Sequence, residues 1–331
     1  MRAAKIAGKR EFVIKDVPDP VLERDEVMVK VQYCGICGSD LHIFKEGAEL
    51  GAGHEFAGDI VAVGEDVKGW SVGDRVAVNP HLGCGECFWC ARGETGLCEQ
   101  FNVRLIESPG SFSTFVKVKH IQLHKLPEGM DYGQAVIVEP ATCALHAVNI
   151  AGMEKGDVVA VLGLGAIGQL AARIAKALGA SAVYAVDISP TRIELARSEV
   201  DEVIDAKTTN PVDRILELTN GRGPDVVIEC AGNVTTTQQA VAMVRNGGTI
   251  AIAGICFDWV ELPVSNIVLR GITIRGSMCF SEGEYDEAFE LIKEGKIEVD
   301  SLLECRMSLD EINEAFEMAS RGEGGKILIK P

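Results

Sequence analysis

The sequence lacks three features: an excess of positive charge, a long apolar run and a secretory signal. Its 331 residues include 32 lysines and arginines against 49 aspartates and glutamates, which gives a net charge of −17. A nucleic-acid backbone or an anionic membrane would repel such a chain, so we expect neither as a partner. No run of 18 apolar residues is present, and the opening segment MRAAKIAGKREFVIKD has no apolar core of the length that a signal needs. These absences predict a cytoplasmic protein.

Cysteine, by contrast, is abundant, with eleven residues. Without a secretory signal, structural disulfides are not expected, which leaves metal binding or burial. Four cysteines have the spacing C-x2-C-x2-C-x7-C, namely Cys84, Cys87, Cys90 and Cys98. The first three match the start of a bacterial ferredoxin run, but that run places its fourth cysteine three residues later and follows it with proline. Here Glu99 follows, so a structural zinc site with four thiolates is favoured over an iron–sulfur cluster or a metal-free loop.

The second half of the chain alternates short apolar segments with helical ones. Six segments rich in valine and isoleucine predict strands, from DVVAVLG at residue 157 to ITIRGS at residue 272. The segments 166–179, 190–198, 211–219 and 235–245 between them predict helices. Near-continuous apolar strands separated by helices indicate a parallel sheet that is covered on both faces. Six such strands predict an α/β fold with a doubly wound, Rossmann-type nucleotide domain.

A glycine motif opens this half of the chain. Gly163, Gly165 and Gly168 form G-x-G-x-x-G between a predicted strand and a predicted helix, which is the context that dinucleotide binding requires. They would allow a tight turn, the approach of a pyrophosphate to the helix N-terminus and close packing of helix on strand. Asp187 ends the next predicted strand, where a carboxylate can accept bonds from ribose hydroxyls and would repel a 2′-phosphate. This arrangement predicts NAD rather than NADP.

Each of these residues also has a simpler interpretation. The glycines could form only a packing turn, and Asp187 could cap the helix that follows it. Arg192, on that helix, is either a contact on the adenine side of the cofactor or an ordinary surface arginine.

The first half of the chain carries a second group of metal-binding residue types. Residues 1–140 have short strand patterns and turns such as VGEDVKGWSVGDRV, which predict a mainly antiparallel β domain. Cys37 follows an apolar strand, His54 and Glu55 stand in a tight turn, and Glu139 stands just before a predicted helix. One thiolate, one imidazole and carboxylates form a mixed, incomplete donor set, which is typical of catalytic zinc with an open position.

Six motifs occur in a fixed order: CGICGSDLH, GHEFAGDIVAVG, VGDRVAV, the four-cysteine segment, VEP and GLGAIG. With them the chain resembles the zinc-dependent medium-chain alcohol dehydrogenases, in the branch that contains sorbitol, butanediol and threonine dehydrogenases. The resemblance covers essentially the whole chain. It implies two zinc ions per chain, a structural one at the four cysteines and a catalytic one. The catalytic ion would be held by Cys37, His54 and either Glu55 or Glu139.

The resemblance implies further roles and a domain organisation. Ser39 and His42 fall on the positions of a proton relay from the substrate hydroxyl, through the cofactor ribose, to solvent. A discontinuous GroES-like catalytic domain would comprise 1–140 and 283–331, with its structural zinc lobe at 84–98, and an NAD-binding domain would comprise 141–282. The active site would lie in the cleft between them, and the chain would form a homo-oligomer, a dimer or a tetramer. Further cofactor contacts are implied at Ile167, Gly254, Ile255, Ser277 and Met278.

The substrate is constrained by two departures from the family pattern. The segment 43–53 is shorter than usual, which predicts a more open pocket. The Arg-Tyr pair of animal sorbitol dehydrogenases would fall on Cys279 and Phe280, so the arginine that contacts polyol hydroxyls is missing. We therefore predict an enzyme that transfers a hydride between a secondary alcohol or polyol and NAD. The alternatives are a dehydrogenase of a 2-amino-3-hydroxy acid such as threonine, and a non-catalytic NAD-binding scaffold, which the intact Cys37 and His54 disfavour.

Overall fold

The computed structural model describes residues 1–47, 51–100, 110–303 and 305–331. Part of the short segment 43–53 therefore lies outside the described residues. The chain forms two compact units, Met1–Glu139 with Val299–Pro331, and Pro140–Glu298. None of the helices in the described ranges is long and apolar enough to cross a membrane.

The first unit begins with seven strands, one complete helix and the start of a second helix, whose remainder from Pro140 onward belongs to the second unit. The longest strand, β3, alternates buried and more exposed residues over much of its length, which is the pattern of a strand with one face on a core. The strands are β1 (Arg2–Gly8), β2 (Glu11–Asp16), β3 (Glu26–Gly35), β4 (Glu55–Val63), β5 (Arg75–Val78), β6 (Phe115–Lys119) and β7 (Leu123–Lys125). The helices are α1 (Gly38–Glu46) and α2 (Tyr132–Ile150).

Helix α2 begins earlier than the sequence predicts. Glu139 was expected just before a helix, because Pro140 lacks an N–H group and is unfavourable inside one. In the structure α2 starts at Tyr132 and continues through Pro140. The burial of residues 135–138 and of Ala141, Ala144 and Leu145 shows that tertiary packing offsets the cost of this proline.

The second unit is the predicted parallel sheet with helices. Its strands lie in the order β10-β9-β8-β11-β12-β13, and every neighbouring pair is parallel. This doubly wound order confirms the predicted α/β fold. The strands are β8 (Val158–Leu162), β9 (Ala182–Asp187), β10 (Glu202–Asp205), β11 (Val226–Glu229), β12 (Thr249–Ile252) and β13 (Thr273–Gly276). The helices are α3 (Ala166–Ala177), α4 (Pro190–Ala196), α5 (Pro211–Leu218), α6 (Val234–Met243), α7 (Val264–Arg270) and α8 (Glu284–Lys293).

The chain then returns to the first unit with three elements. These are β14 (Cys305–Ser308), α9 (Ile312–Ser320) and β15 (Ile327–Lys330). The completed sheet has the order β14-β15-β3-β4-β5-β7, with β6 also paired to β3. Apart from the parallel pair β14–β15, its strand pairs are antiparallel, as predicted.

The point of return differs from the expected residue 283. The structure groups residues 283–298, and with them α8, with the second unit. The physical reason is that Glu284, the first residue of α8, accepts hydrogen bonds from His146 and Asn149, which lie in the part of α2 that belongs to the second unit. The sequence shows only an amphipathic helix here and does not show which unit its apolar face contacts.

An aromatic cluster joins the two parts of the first unit. Phe44 of α1 and Phe316 of α9 have ring centroids 5.0 Å apart, and Phe12 of β2 lies 5.3 Å and 4.7 Å from them. All three rings are buried. Because such contacts stabilise by dispersion and apolar burial, they fix α1 against the C-terminal part of the chain.

Candidate metal centres and nucleotide site

The register of β3 on β4 brings the first metal group together. Gly35, the last residue of β3, pairs with Glu55, the first residue of β4. Cys37, which follows the end of β3, and His54, which precedes the start of β4, therefore lie at the same end of this strand pair. Ligand atoms of Cys37, His54 and Glu55 lie within 4.8 Å of one another. An antiparallel pair with this register converts two distant sequence motifs into one site.

Asp40 organises the two turns that carry these residues. Its Oδ2 accepts the N–H of Cys37 at 3.0 Å, and its Oδ1 accepts the N–H of Gly53 at 3.0 Å. His54 Nδ1 lies 3.7 Å from Asp40 Oδ1. Burial raises the pKa of Asp40, although His54 opposes this. Asp40 had no predicted role, although its position three residues after Cys37, the N-cap of α1, is the signal of a capping box.

A second missed residue is Lys326, a buried cation beside this group. Lys326 Nζ forms an ion pair with Glu55 Oε2, and the two side chains are 3% and 1% exposed. Burial lowers the pKa of Lys326, but Glu55 and Cys37 raise it by more, so its pKa lies above the ordinary value. A Cβ on Gly35 would lie 2.7 Å from Lys326 Cε, which explains why this position has no side chain. Sequence alone gave no signal for Lys326, because it lies near the other end of the chain.

Glu139 lies near Cys37, His54 and Glu55, but it is not part of the set of closely spaced ligand atoms. It is 7% exposed on α2. Its negative charge raises the pKa of both His54 and Lys326, which places it within electrostatic range of both. The set of atoms that lie within 4.8 Å of one another includes Glu55 and not Glu139.

The donor chemistry of this site fits a divalent cation. Burial lowers the pKa of His54, but Cys37 and Asp40 raise it by more, so that its pKa lies well above the ordinary value. The thiol of Cys37, the imidazole of His54 and the nearby carboxylates therefore lie together in an environment that favours a bound cation. Zinc accepts these three donor types, and a set of three protein ligands leaves a position open.

Ser39 and His42 lie on α1, directly after Cys37. Ser39 is half-buried in the first turn and His42 is exposed. Residues three apart share a face of a helix, so the two side chains follow one another from the buried to the exposed part of α1.

The four-cysteine segment forms a compact thiol cluster. Ligand atoms of all four cysteines lie within 4.8 Å of one another, and the pairs Cys84–Cys90 and Cys87–Cys98 have Sγ atoms 3.9 Å apart. Tetrahedral zinc with Zn–S bonds of about 2.3 Å requires sulfur atoms roughly 3.8 Å apart. The backbone N–H groups of Cys90 and Glu99 lower the pKa of Cys87 to about 6, which favours the thiolate. All eleven cysteines are free thiols, and these four fit a closed zinc site.

The glycine motif forms the loop between β8 and α3. Gly163 has a φ of 93°, which favours glycine, and a Cβ there would lie 2.8 Å from the Cβ of Ala231. Gly165 is the N-cap of α3, with open space where a Cβ would stand. Gly168 packs against the carbonyl of Gly163, and the neighbouring Ile167 is half-buried. The loop therefore leaves the first turn of α3 approachable by an anion.

Asp187 ends β9 and holds this loop in place. Its Oδ2 accepts the N–H of Leu164 at 2.6 Å, and its Oδ1 accepts those of Ile188 and Ser189 at 2.7 and 2.8 Å. It is 7% exposed. Arg192 lies half-buried on α4, and its carbonyl accepts a bond from the Gln169 side chain.

Four further predicted residues follow the carboxyl ends of β12 and β13. Gly254 is half-buried and Ile255 is 56% exposed. Ser277 donates its N–H to Ile252 O at 2.8 Å, and Met278 is 44% exposed. In open parallel sheets, ligands bind outside this edge, so all four stand where a nucleotide can reach them.

Two family models match the chain along most of its length. Residues 23–128 match an alcohol dehydrogenase GroES-like domain, and residues 166–294 match a zinc-binding dehydrogenase. A sorbitol dehydrogenase from Halalkalibacterium halodurans is 32% identical over 98% of this chain and 97% of its own length. The chain belongs to the zinc-dependent medium-chain alcohol dehydrogenase family.

Other relatives of this chain are named for different substrates. A (R,R)-butanediol dehydrogenase from Bacillus subtilis is 34% identical, with all of both chains covered. An L-threonine 3-dehydrogenase from Bacillus licheniformis is 33% identical over 95% of this chain and 94% of its own length. The solved structure of a zinc-binding dehydrogenase from Sinorhizobium meliloti, bound to NADP, superposes with a TM-score of 0.93 at 31% identity, covering 100% of this chain and 99% of that one. Membership makes this chain a dehydrogenase that uses zinc and a nicotinamide dinucleotide.

Proposed function

We propose that this chain is an NAD-dependent dehydrogenase of secondary alcohols or polyols. The observation that carries the proposal is the group of Cys37, His54 and Glu55, whose ligand atoms lie within 4.8 Å of one another in a family member. The sorbitol and butanediol of the relatives' names are alcohols with secondary hydroxyl groups. A non-catalytic scaffold would have no need to preserve this group.

Cys37, His54 and Glu55 are the residues that we propose to hold the catalytic zinc, with Glu139 as a nearby second carboxylate. When bound, zinc supplies a Lewis acid that lowers the pKa of a hydroxyl. Asp40 orients Cys37 and His54 through the backbone bonds described above. Lys326 forms an ion pair with Oε2 of Glu55, which leaves Oε1 as the second possible ligand atom of this carboxylate. The four thiols of the second group are proposed to hold a structural zinc.

The hydroxyl proton must leave a partly buried site. Ser39 offers a hydroxyl two residues after Cys37, and the imidazole of His42, three residues further along α1, is exposed to water. We propose that these two residues pass the proton outward. Their order on α1, half-buried and then exposed, supports this direction.

The cofactor is proposed to be NAD, which when bound supplies the hydride acceptor. Gly163, Gly165 and Gly168 leave room for its pyrophosphate at α3, beside Ile167. Asp187 presents a fixed carboxylate at the end of β9, which favours a ribose diol over a 2′-phosphate. The proposed nicotinamide contacts are Gly254, Ile255, Ser277 and Met278, with Arg192 on the adenine side.

We also propose that two copies of the chain pair through β13. Among the described strands, β13 has a neighbour on one side only, and all four of its residues are exposed. The segment that leads into it exposes large apolar side chains, which we call the β13 patch: Phe257, Trp259, Val264, Val268 and Leu269. Exposed apolar patches beside an open strand edge mark association sites, and antiparallel pairing across a two-fold axis is self-complementary. A second copy is therefore the partner that this edge fits.

Sedimentation analysis tests the pairing. We expect wild type to be a dimer at micromolar concentration and the variant Trp259→Ser/Leu269→Asp to be monomeric. Val72→Asp, at a 63% exposed valine of the first unit, is the control and should leave the dimer intact. A monomeric wild type would overturn this part of the proposal.

The dehydrogenase proposal is tested with a panel of secondary alcohols, diols, polyols and threonine, followed through NADH absorbance. We expect turnover with at least one alcohol or polyol and a higher kcat/KM with NAD than with NADP. Turnover of threonine alone would replace the substrate class. A zinc-loaded protein that reduces neither cofactor with any compound would contradict the proposed activity.

A further inference from the structure

The connection between β13 and α8 is a tightly built turn. It covers residues 277–283 and begins at the carboxyl edge of the sheet, where Ser277 donates to Ile252 O. Cys279 has a φ of 51° and Gly283 a φ of 85°, so the backbone reverses twice through the left-handed region. Phe280 is 2% exposed and packs against Tyr285 with ring centroids 6.2 Å apart. A cysteine in that region is uncommon and requires surrounding structure to hold it.

Three donors converge on the carboxylate of Glu284 at the end of this connection. Oε2 accepts from His146 Nδ1 at 2.8 Å and from the N–H of Ser281 at 2.7 Å, and Oε1 accepts from Asn149 Nδ2 at 2.8 Å. The side chains of His146 and Glu284 are each 12% exposed. Burial raises the pKa of Glu284, but the bonds from His146, Ser281 and Asn149 lower it by more, so its pKa lies below the ordinary value. Glu284 is thus a carboxylate at neutral pH.

The turn that precedes α8 accounts for only one of these bonds. Glu284 accepts the N–H of Ser281 across the turn at residues 281–284, whose Gly283 is the N-cap of α8. The other two bonds come from His146 and Asn149, which lie three residues apart on one face of α2. They tie the connection to a second helix of the same unit.

We propose that His146, Asn149 and Glu284 are positioning residues for the dinucleotide. By fixing the end of the connection, they set the backbone of Ser277 and Met278 at its beginning. Those two residues are proposed contacts of the nicotinamide end, so this inference rests on the proposed function. His146 would therefore affect the affinity for the cofactor, although it lies outside the glycine motif and outside both groups of metal ligands.

Titration of NADH binding by fluorescence tests the inference on the zinc-loaded protein. His146→Leu removes the donor to Glu284, and we expect the Kd for NADH to rise by roughly tenfold, the usual effect of losing a hydrogen bond to a charged group. His146→Asn places an amide N–H near the former Nδ1, so it should restore most of the affinity. Glu284→Gln should weaken binding in the same direction as His146→Leu.

A matched control separates positioning from general loss of stability. Arg214→Gln breaks the two-bond ion pair with Glu202, in the same unit. It should lower the melting temperature and leave the Kd for NADH within about twofold. If His146→Leu binds NADH as wild type does, or if Arg214→Gln weakens binding equally, the inference is wrong. If wild type itself binds no NADH, the proposed function fails instead.

Discussion

Lys326 is a buried cation beside the proposed catalytic zinc ligands. Replacing it with methionine tests how much its ion pair with Glu55 contributes to the stability of the fold. Methionine has a similar length and apolar character, so the packing near Gly35 is largely kept. The ion pair with Glu55 is lost, and Glu55 remains 1% exposed with one fewer partner. Breaking a buried pair by removing one partner typically costs about 3–5 kcal/mol of folding free energy. We expect a loss of this size in protein that has been treated with a chelator.

Zinc should reduce the effect, because a bound cation near Glu55 compensates part of the missing positive charge. The free-energy loss caused by Lys326→Met should therefore be smaller in zinc-loaded protein than in chelator-treated protein. The assay is urea-induced unfolding of both forms, with Glu55→Gln and the double variant completing a double-mutant cycle. The double variant of the chelator-treated protein should recover most of the stability, since no uncompensated charge is left.

The pH dependence of the pair has a definite sign. The folded pKa of Lys326 lies above the ordinary value of 10.5, so the contribution of the pair is fully present at neutral pH. It is lost only as the pH rises above 10.5 through the folded pKa. A coupling energy below about 0.5 kcal/mol at pH 7, or equal losses with and without zinc, would refute this reasoning.

Three other variants test the remaining parts of the site. Ser39→Ala should keep full zinc content while kcat for alcohol oxidation falls roughly 10²–10⁴-fold, and an unchanged kcat where chemistry limits the rate would remove Ser39 from the relay. Asp187→Ser should raise the NADP/NAD ratio of kcat/KM by roughly tenfold or more, and a wild type that already prefers NADP would contradict our interpretation of this carboxylate. Cys90→Ser should lose one zinc per chain and lower the melting temperature, and zinc content equal to wild type would count against the structural site.

The second unit could be predicted closely from the sequence, because its central strands β8 and β11 are buried on both faces. Predicted helices 166–179 and 211–219 correspond to Ala166–Ala177 and Pro211–Leu218. Helix α7 was not predicted, because it has only seven residues and none of them is buried. Periodicity also could not assign α8 to a unit, since that depends on the bonds from α2 to Glu284.

The candidate site could be predicted only where its residues stand in local motifs. Cys37, His54, the four clustered cysteines and the glycine loop each have such a signal. Lys326 has none, because it is far from Glu55 in sequence. The pairing of β15 with β3 brings the two residues together. Asp187 was predicted for its expected contact with ribose, and its three bonds to backbone N–H groups could not be derived from its position in the sequence.

The central claim, a two-zinc dehydrogenase with one open site, is tested most directly by metal analysis of active enzyme and of Cys37→Ser. We expect two zinc ions per chain in wild type, one for each group of ligands. Cys37→Ser should retain one zinc and its fold, with NAD reduction abolished. Fewer than one zinc per chain in active wild type, iron in place of zinc, or full turnover by the one-zinc variant would contradict the claim.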